Sequence, residues 1–370
     1  MTGMAGDDAP ERLPLGPGPS PLHPRVREAL SRPVMGHLDP IFLDILDEVS
    51  DLLRQVFRTE GLSFAVSGSG SAGMEAAMVN LLEPGDRAIV GVAGFFAERM
   101  AEMGRRARAE VVPVEAPWGR AVDPADVERA MDEYPDVKVV ALVHAETSTG
   151  VGQPLEEVAA LCRDRDVLFV VDAVASLGGM PLDVDELGID VCFSGSQKCL
   201  SVAPGVAPIC FSPNALATVE SRETPVQSWY LDVTGIRKYV GTERRYHHTA
   251  PINMVYGLKE GLQIVLEEGL EARWKRHEEV GRAFQGALEE LGFELFAEKA
   301  VRLPHITSAL IPEGVDDKVA RGRLMDEHGI EIAGGLGEYA GRMWRVGLMG
   351  EGARKDHADR LLEAIRAVIA

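Results

Sequence analysis

The sequence predicts an α/β protein in which a large unit built on a mostly parallel β-sheet precedes a smaller α+β unit. Apolar strand-like runs alternate with amphipathic helical runs from residue 62 to about residue 200, which is typical of parallel strands joined by crossover helices. Several strand-like runs, such as VKVVALVHA, are apolar at nearly every position, as expected for strands covered by helices on both faces. After about Asn253 the alternation gives way to a long amphipathic helix and short strands, so a second, smaller unit is expected there.

The elements can be assigned in order along the chain. Apolar residues recur at helical spacing from Pro40 to Arg58, which predicts a helix before the first strand of the sheet. The strand-like runs that follow are SFAV, RAIVGV, EVVPVE, VKVVALVHA and VLFVVDAVAS, with a further strand before SGSQK. The helical runs between them are AGMEAAMVNLL, FFAERMAEMGRRA, DPADVERAMDEY and PLEEVAALCRDRD. Asp123 and Pro124 provide a helix cap and a first helical residue for the third of these.

The pattern after Asn253 defines the second unit. One long helix is predicted from Met254 to about Leu291, followed by HITSALIP, the helix DDKVARGRLMDEHG, IEIAGG, MWRVGLM and a final helix from Lys355. The predicted organisation is therefore a flexible arm over residues 1–20, a large domain over 21–253 and a small domain over 254–370.

Composition limits the classes of partner. The 370 residues carry a formal net charge of −20, which disfavours binding to nucleic acid or to an anionic membrane surface because the long-range interaction is repulsive. No apolar run reaches the length of a membrane span, and the N-terminus lacks a charged-then-apolar signal pattern. The four cysteines have no metal-ligand spacing. The expectation is a cytoplasmic protein without a metal site.

Gly68, Gly70 and Gly73 spell G-x-G-x-x-G after a strand-like run and before a helical one, as in a dinucleotide-binding turn. Such a site also needs an acidic residue at the tip of the second strand. The corresponding segment IVGVAGFF has none, and Glu98 lies inside the next helix. The small residues still allow backbone N–H groups at a helix N-terminus to approach an anion closely, so a monophosphate fits the turn as well as a dinucleotide does.

Two ionisable residues follow buried-looking strands. Lys198 comes after the apolar residues 191–193 and has small and apolar neighbours; such surroundings lower the pKa of a lysine and make its amine nucleophilic. Asp172 ends the apolar run VLFVV, where ligands bind in parallel sheets. A buried carboxylate needs a partner, and a protonated pyridine nitrogen is one. A surface loop for Lys198 and a helix cap for Asp172 are the structural alternatives.

A phosphate cradle, a strand-end aspartate and a lysine after a strand are together the set that pyridoxal phosphate requires. Over nearly its whole length the chain resembles the class V, fold-type I aminotransferases, near the alanine–glyoxylate and serine–pyruvate (serine–glyoxylate) group. The matching segments are GPGPSPLHPRV, GHLDP, SGSGSAGMEAAMVNLLEPGD, HAETSTGV, VVDAVASLGGMPLDVDELGID, SGSQKCL, YHHTAPINMVYGL and WRVGLMG. The resemblance implies pyridoxal 5'-phosphate, a large domain with a sheet of the seven-stranded type, and transfer of an amino group from alanine or serine to glyoxylate or pyruvate.

The resemblance also implies roles for individual residues. Lys198 would form the Schiff base and move the proton between the substrate Cα and the cofactor, while Asp172 would pair with the pyridine nitrogen. Arg345 would bind the substrate carboxylate. The other cofactor contacts would be Ser69, Gly70, Ser71 and Gln197 at the phosphate, Phe96 and Val174 on the ring faces, and Thr147 at the ring hydroxyl or beside the substrate.

Two further residues, Tyr246 and Thr249, would reach the phosphate of a neighbouring subunit, which implies a homodimer with shared active sites. The sequence departs from the family at Phe96, where tryptophan is frequent, and at Cys199, which is expected to be a buried thiol.

Other functions remain open at this point. Within the family, ureidoglycine–glyoxylate or aminoethylphosphonate aminotransferase activity is an alternative. A cysteine desulfurase or related lyase needs a mobile cysteine in the C-terminal part, whereas no cysteine follows Cys210. A dehydrogenase built on the glycine turn would bind NAD and give Lys198 no role, and a cofactor-free binding module would leave Lys198 exposed to solvent.

Overall fold

The structure is a computed structural model, and it describes residues 10–369. The helices are α1 (Pro24–Leu30), α2 (Pro40–Phe57), α3 (Gly70–Leu81), α4 (Phe95–Arg106), α5 (Pro124–Glu133), α6 (Glu156–Asp164), α7 (Val184–Leu187), α8 (Pro213–Glu220), α9 (Val233–Val240), α10 (Ile252–Glu268), α11 (Leu270–Glu290), α12 (Asp317–His328) and α13 (Lys355–Ile369). The strands are β1 (Leu13–Pro14), β2 (Leu62–Ser67), β3 (Arg87–Val92), β4 (Glu110–Glu115), β5 (Val137–Val143), β6 (Ala145–Glu146), β7 (Val151–Gly152), β8 (Leu168–Asp172), β9 (Val191–Phe193), β10 (Val206–Phe211), β11 (Glu294–Leu295), β12 (Ile306–Leu310), β13 (Ile330–Glu331), β14 (Ala333–Gly334) and β15 (Met343–Gly347).

The large sheet has seven strands in the order β2-β10-β9-β8-β5-β3-β4. The pairs β9–β8, β8–β5, β5–β3 and β3–β4 are parallel, and β10 runs antiparallel to both of its neighbours. The predicted α/β class with a mostly parallel seven-stranded sheet is therefore confirmed.

Burial on both faces explains the apolar strands. In β5, Val140 and Leu142 pack into the core on one face of the sheet, while Val139 and Ala141 pack into the core on the other. Because successive side chains of a strand point to opposite faces, a strand between two cores must be apolar at nearly every position. The Asp123 side chain accepts the Ala125 N–H at the start of α5, as predicted for a helix cap.

A second, four-stranded antiparallel sheet has the order β11-β12-β15-β14. Side chains from this sheet and from α11, α12 and α13 form a separate core around Phe284, Leu361 and the fully buried Trp344.

The prediction of one long helix from Met254 to about Leu291 is wrong, because the chain breaks at Gly269 between α10 and α11. Gly269 has φ 84°, a left-handed conformation that glycine adopts without steric cost. Its N–H donates to the Val265 carbonyl and closes α10, and a new helix starts at Leu270.

The predicted domain boundaries stay a prediction. The boundary at residue 253 falls in the first turn of α10, whose Leu258 and Leu262 belong to the core that lies beneath the large sheet. Of the flexible arm predicted over 1–20, residues 1–9 lie outside the described residues. Residues 13–15 are packed rather than loose, because Leu13 pairs with Ile330 in a parallel ladder and Leu15 is fully buried.

Between residues 10 and 369, none of the helices is long and apolar enough to cross a membrane. The same residues contain no group of three or more His, Cys, Asp or Glu side chains placed to hold a metal ion. All four cysteines are unpaired and buried, including Cys199.

Candidate active site

A cavity of about 250 Å³ lies at the carboxyl ends of the parallel strands, where ligands bind in such sheets. It brings together nine of the twelve residues predicted from the sequence, which are Ser69, Gly70, Ser71, Phe96, Thr147, Asp172, Val174, Gln197 and Lys198. Tyr246, Thr249 and Arg345 do not line it.

The N-terminus of α3 forms one wall of the cavity. Ser69 is the N-cap residue, yet its side chain makes no capping hydrogen bond, so its hydroxyl and the first N–H groups of the helix are available to an anion. Gly70 is required sterically, because a Cβ there would lie 2.7 Å from Cγ2 of Val174. The small residues of the glycine turn therefore hold the helix end close to the turn that follows β8.

Lys198 follows β9 and lines the same cavity. Its Nζ donates to the Pro17 carbonyl oxygen. Burial lowers the pKa of Lys198 to about 8, and the positive charge of Arg345 acts in the same direction. A Cβ on Gly18 would lie 2.5 Å from Nζ, so the segment over the lysine must carry glycine. Pro17 and Gly18 were not predicted as neighbours of Lys198, although both lie in GPGPSPLHPRV, one of the segments that resemble the family.

Asp172 is the last residue of β8 and is 3% exposed. Its Oδ1 accepts the Val174 N–H at 2.8 Å, so the alternative of a backbone-capping role applies to this one oxygen. Burial raises the pKa of Asp172 to about 7, against the lowering effect of the Val174 hydrogen bond. A cation beside the carboxylate would stabilise its ionised form, which is the chemistry expected for a pyridinium partner.

Arg345 lies in β15 of the four-stranded sheet, and its side chain contacts the turn after β6. Its Nε donates to the Gly334 carbonyl at 2.8 Å and its Nη1 to the Thr147 carbonyl at 3.2 Å. Burial lowers the pKa of Arg345 to about 10, and the negative charge of Glu146 opposes this. The guanidinium is thus fixed next to the cavity residue Thr147, with N–H donors left for a carboxylate.

Tyr246 and Thr249 are exposed in the single chain, Tyr246 by 55%. The Tyr246 ring lies 5.0 Å from the His37 ring. The hypothesis that both residues reach the site of a second subunit stays a prediction.

Sequence reasoning missed two residues of the site, Arg99 and Glu146. Arg99 lines the cavity, donates from Nη1 to Oγ of Ser71 at 3.0 Å, and lies over the Phe96 ring at 5.0 Å. Its position three residues after Phe96 in a helix placed both on one face, which was an available signal. Glu146 is 1% exposed and contacts α4; it precedes Thr147 in HAETSTG, but nothing local revealed its partners.

The chain resembles known proteins over most of its length. The sequence profile of the family described as Aminotransferase class-V matches residues 36–346. Alanine–glyoxylate aminotransferase from Callithrix jacchus is 40% identical over 97% of this chain and 88% of its own length. (S)-ureidoglycine–glyoxylate transaminase from Bacillus subtilis is 36% identical over 100% of this chain and 93% of its own.

Among solved structures, an alanine–glyoxylate aminotransferase from Nostoc sp. is 46% identical and superposes with a TM-score of 0.96 over 100% of this chain and 98% of that one. The family profile and relatives above 30% identity span most of the molecule. The chain therefore belongs to the class V aminotransferases, enzymes of fold type I.

Proposed function

We propose that the chain binds pyridoxal 5'-phosphate in this cavity and moves the amino group of a small L-amino acid, alanine or serine, to glyoxylate or pyruvate. The observation that carries the proposal is the enclosure of a buried lysine of lowered pKa and a buried carboxylate in one cavity with an uncapped helix N-terminus. No dinucleotide is needed to explain the glycine turn, and Lys198 is not a solvent-exposed surface residue.

The residues present fit the cofactor. A Cβ on Gly70 would lie 2.7 Å from Val174, so the space beside the helix end is kept open by glycine. Gln197 lines the same cavity, and its buried Oε1 has no hydrogen-bond partner within residues 10–369; its amide N–H groups are the ones that could donate to a phosphate. Ser69, Gly70, Ser71 and Gln197 would hold the phosphate. Because Arg99 donates to Oγ of Ser71, the hydroxyl hydrogen of Ser71 remains available to a phosphate oxygen.

The ring of the cofactor would lie between Phe96 and Val174, with Asp172 at its nitrogen and Thr147 at its hydroxyl. Phe96 retains the stacking surface of an aromatic residue without an indole N–H. The Asp172 carboxylate would hold a proton on the ring nitrogen by charge pairing. When bound, pyridoxal phosphate supplies an aldehyde that links to amines and a ring that accepts an electron pair from the substrate Cα.

Lys198 provides the amine and the base. With a pKa of about 8, roughly a tenth of the Lys198 side chains are unprotonated at pH 7, far more than for an ordinary lysine, and the unprotonated amine is the nucleophilic form. Once the substrate amine has replaced it, Nζ of Lys198 would take the proton from the substrate Cα as a general base and deliver it to the former aldehyde carbon of the cofactor as a general acid.

Arg345 would orient the substrate by its carboxylate. A planar guanidinium can bind a carboxylate through two parallel hydrogen bonds, and the backbone acceptors at Gly334 and Thr147 fix its plane. The names of the relatives, with alanine, glyoxylate and ureidoglycine, support small substrates with one carboxylate. Ureidoglycine–glyoxylate activity is the second candidate, because a 36% identical relative is named for it. Aminoethylphosphonate is a weaker candidate, and a desulfurase reaction lacks an accessible cysteine.

The proposal includes a homodimer. Exposed apolar side chains gather around the segment that contains Tyr246, since the His37 ring lies 5.0 Å from Tyr246 and the Trp229 ring stacks on His247 at 4.5 Å. The exposed members are Val34, Leu38, Ile41, Trp229, Tyr230 and Tyr246. Such a surface is characteristic of a protein interface. Four buried, unpaired cysteines fit a reducing compartment such as the cytoplasm.

The first experiment is a visible absorption spectrum of the purified protein. A yellow band that bleaches with L-alanine or L-serine and returns with glyoxylate would support both half-reactions and identify the donor; (S)-ureidoglycine tests the second candidate. Lys198→Ala should abolish the protein-linked band. A colourless protein that takes up no added pyridoxal phosphate would contradict the proposal.

The dimer is tested separately. Light scattering should give the mass of two chains, and Tyr246→Ala should weaken cofactor binding although Tyr246 lies outside the cavity of its own chain. A monomer with full cofactor affinity would contradict shared active sites.

A further inference from the structure

We propose that Glu146 is a positioning residue for the reaction, because its buried carboxylate fixes the backbone of Phe96 and the turn that carries Thr147. This inference rests on the proposed function and adds to it a residue that contacts neither substrate nor cofactor. Four hydrogen bonds, the fit at Gly94 and the link to Arg345 support it.

Glu146 caps helix α4 from a distant part of the chain. The N-cap residue of α4 is Gly94, which has no side chain to accept a hydrogen bond. Oε2 of Glu146 instead accepts the N–H groups of Phe96 at 3.1 Å and Ala97 at 3.2 Å. The Phe95 N–H donates to Oγ of Ser148 at 3.0 Å. The three N–H groups of residues 95–97 are thus satisfied by two side chains about fifty residues further on.

The contact is tightly fitted. A Cβ on Gly94 would lie 2.5 Å from Oγ of Ser148 and 2.6 Å from Cγ of Glu146, so only glycine lets the carboxylate reach the helix. A negative charge at this end is also favoured by the helix dipole. The second residue of α4 is Phe96, whose ring lines the cavity. The place of that ring therefore depends on how Glu146 holds the helix end.

The other oxygen of the same carboxylate holds the turn after β6. Oε1 of Glu146 accepts the N–H of Ser148 at 3.0 Å and its Oγ hydrogen at 2.5 Å, and the Glu146 carbonyl accepts the Gly150 N–H at 2.9 Å. Within this turn the Thr147 carbonyl accepts from Nη1 of Arg345 at 3.2 Å. One buried group thus sets both the ring wall of the cavity and an anchor of the guanidinium that would bind substrate.

A purely structural cap would stabilise the fold without affecting the site, and Asp190 is a matched control for that role. Asp190 is also a buried carboxylate. It accepts the Phe169 N–H at 2.9 Å and the Ser212 hydroxyl at 2.7 Å, and it does not line the cavity. Glu146→Gln and Asp190→Asn each replace one such carboxylate by an amide of nearly the same shape.

The experiment measures cofactor affinity by absorption titration, the circular dichroism of the bound cofactor, and KM and kcat for the amino donor. For Glu146→Gln we expect about tenfold weaker cofactor binding, a smaller dichroic band and about a tenfold rise in KM, since two of four buried hydrogen bonds are lost. Loss of a negative charge near Arg345 would by itself tighten carboxylate binding. A rise in KM therefore reports lost position rather than lost charge.

Asp190→Asn should leave the cofactor affinity, the dichroic band of the cofactor and KM within about twofold of the wild type. This holds even where Asp190→Asn and Glu146→Gln both lower the melting temperature. Ser148→Ala removes the Phe95 acceptor but keeps the carboxylate, and should give a smaller change in the same direction; it serves as the test where Glu146→Gln does not fold. Variants at 146 or 148 that behave like Asp190→Asn would overturn the inference. A wild type that takes up no cofactor would instead overturn the proposed function.

Discussion

Lys198→Met should stabilise the cofactor-free protein at neutral pH. Burial lowers the pKa of Lys198 from 10.5 to about 8, a difference of about 2.5, which at ~1.36 kcal/mol per pKa unit makes the charged amine cost roughly 3 kcal/mol of folding free energy. Methionine has a similar length and no charge. It loses the hydrogen bond to the Pro17 carbonyl, a loss of about 1 kcal/mol. The net expectation is a gain of roughly 2 kcal/mol at pH 7.

The gain should depend on pH in a defined direction. Since the folded-state pKa of Lys198 lies below the unfolded value, the unfolded chain holds a proton that the folded chain lacks between about pH 8 and 10.5. Wild-type stability from this group therefore rises with pH across that window. The methionine variant has no such group, so its advantage should shrink and disappear by about pH 10.

The assay is urea unfolding of the cofactor-free protein, monitored by circular dichroism, at pH 7 and at about pH 10. Lys275→Met is the control, because the Lys275 side chain is 75% exposed and its replacement should change stability by less than about 0.5 kcal/mol. A Lys198→Met protein no more stable than the wild type at pH 7, or a gain that is constant with pH, would refute the reasoning.

Other substitutions test the packing of the site and of the fold. Gly70→Ala should weaken cofactor binding, measured by absorption titration, because its Cβ would lie 2.7 Å from Val174. In a Val174→Ala background the same substitution should cost less, and an equal loss in both backgrounds would contradict the steric cause. Arg99→Gln should weaken cofactor uptake about tenfold, because it removes a positive charge from the cavity wall and the hydrogen bond that holds Oγ of Ser71. An unchanged affinity would contradict this role of Arg99. Gly281→Ala would place a Cβ 1.8 Å from the Pro304 carbonyl oxygen, and thermal melting should show a loss of ~3 kcal/mol or more; wild-type melting would argue against this contact.

Features encoded locally could be predicted from the sequence. Alternating apolar and amphipathic runs predicted the large sheet, and residues at strand ends such as Asp172 predicted the place of the cavity, because the carboxyl ends of parallel strands meet at one edge. The glycine turn at 68–73 predicted a helix end that receives an anion. These inferences need only the order of the elements.

Features that depend on contacts between distant segments could not be predicted. Glu146 looks like any acidic residue in a loop until α4 is placed beside it, and the hydrogen bond from Arg345 to Thr147 joins β15 to the turn after β6, 198 residues earlier. The prediction of one helix across Gly269 failed for another reason. The helical periodicity continues on both sides of it, and a single glycine inside a periodic run is compatible with either an intact or a broken helix.

The parallel pairing of β1 with β13 has a consequence for the order in which the molecule is made. The segment that covers Lys198 leaves the ribosome long before its partner strand, Ile330–Glu331. Folding during synthesis can complete the large sheet early, whereas the pairing that holds the segment with Pro17 in place over the lysine forms only after β13 has been made. Until β13 has been made and β1 has paired with it, Lys198 lacks this cover, so the surroundings of the lysine are completed late in synthesis by a segment that was made early.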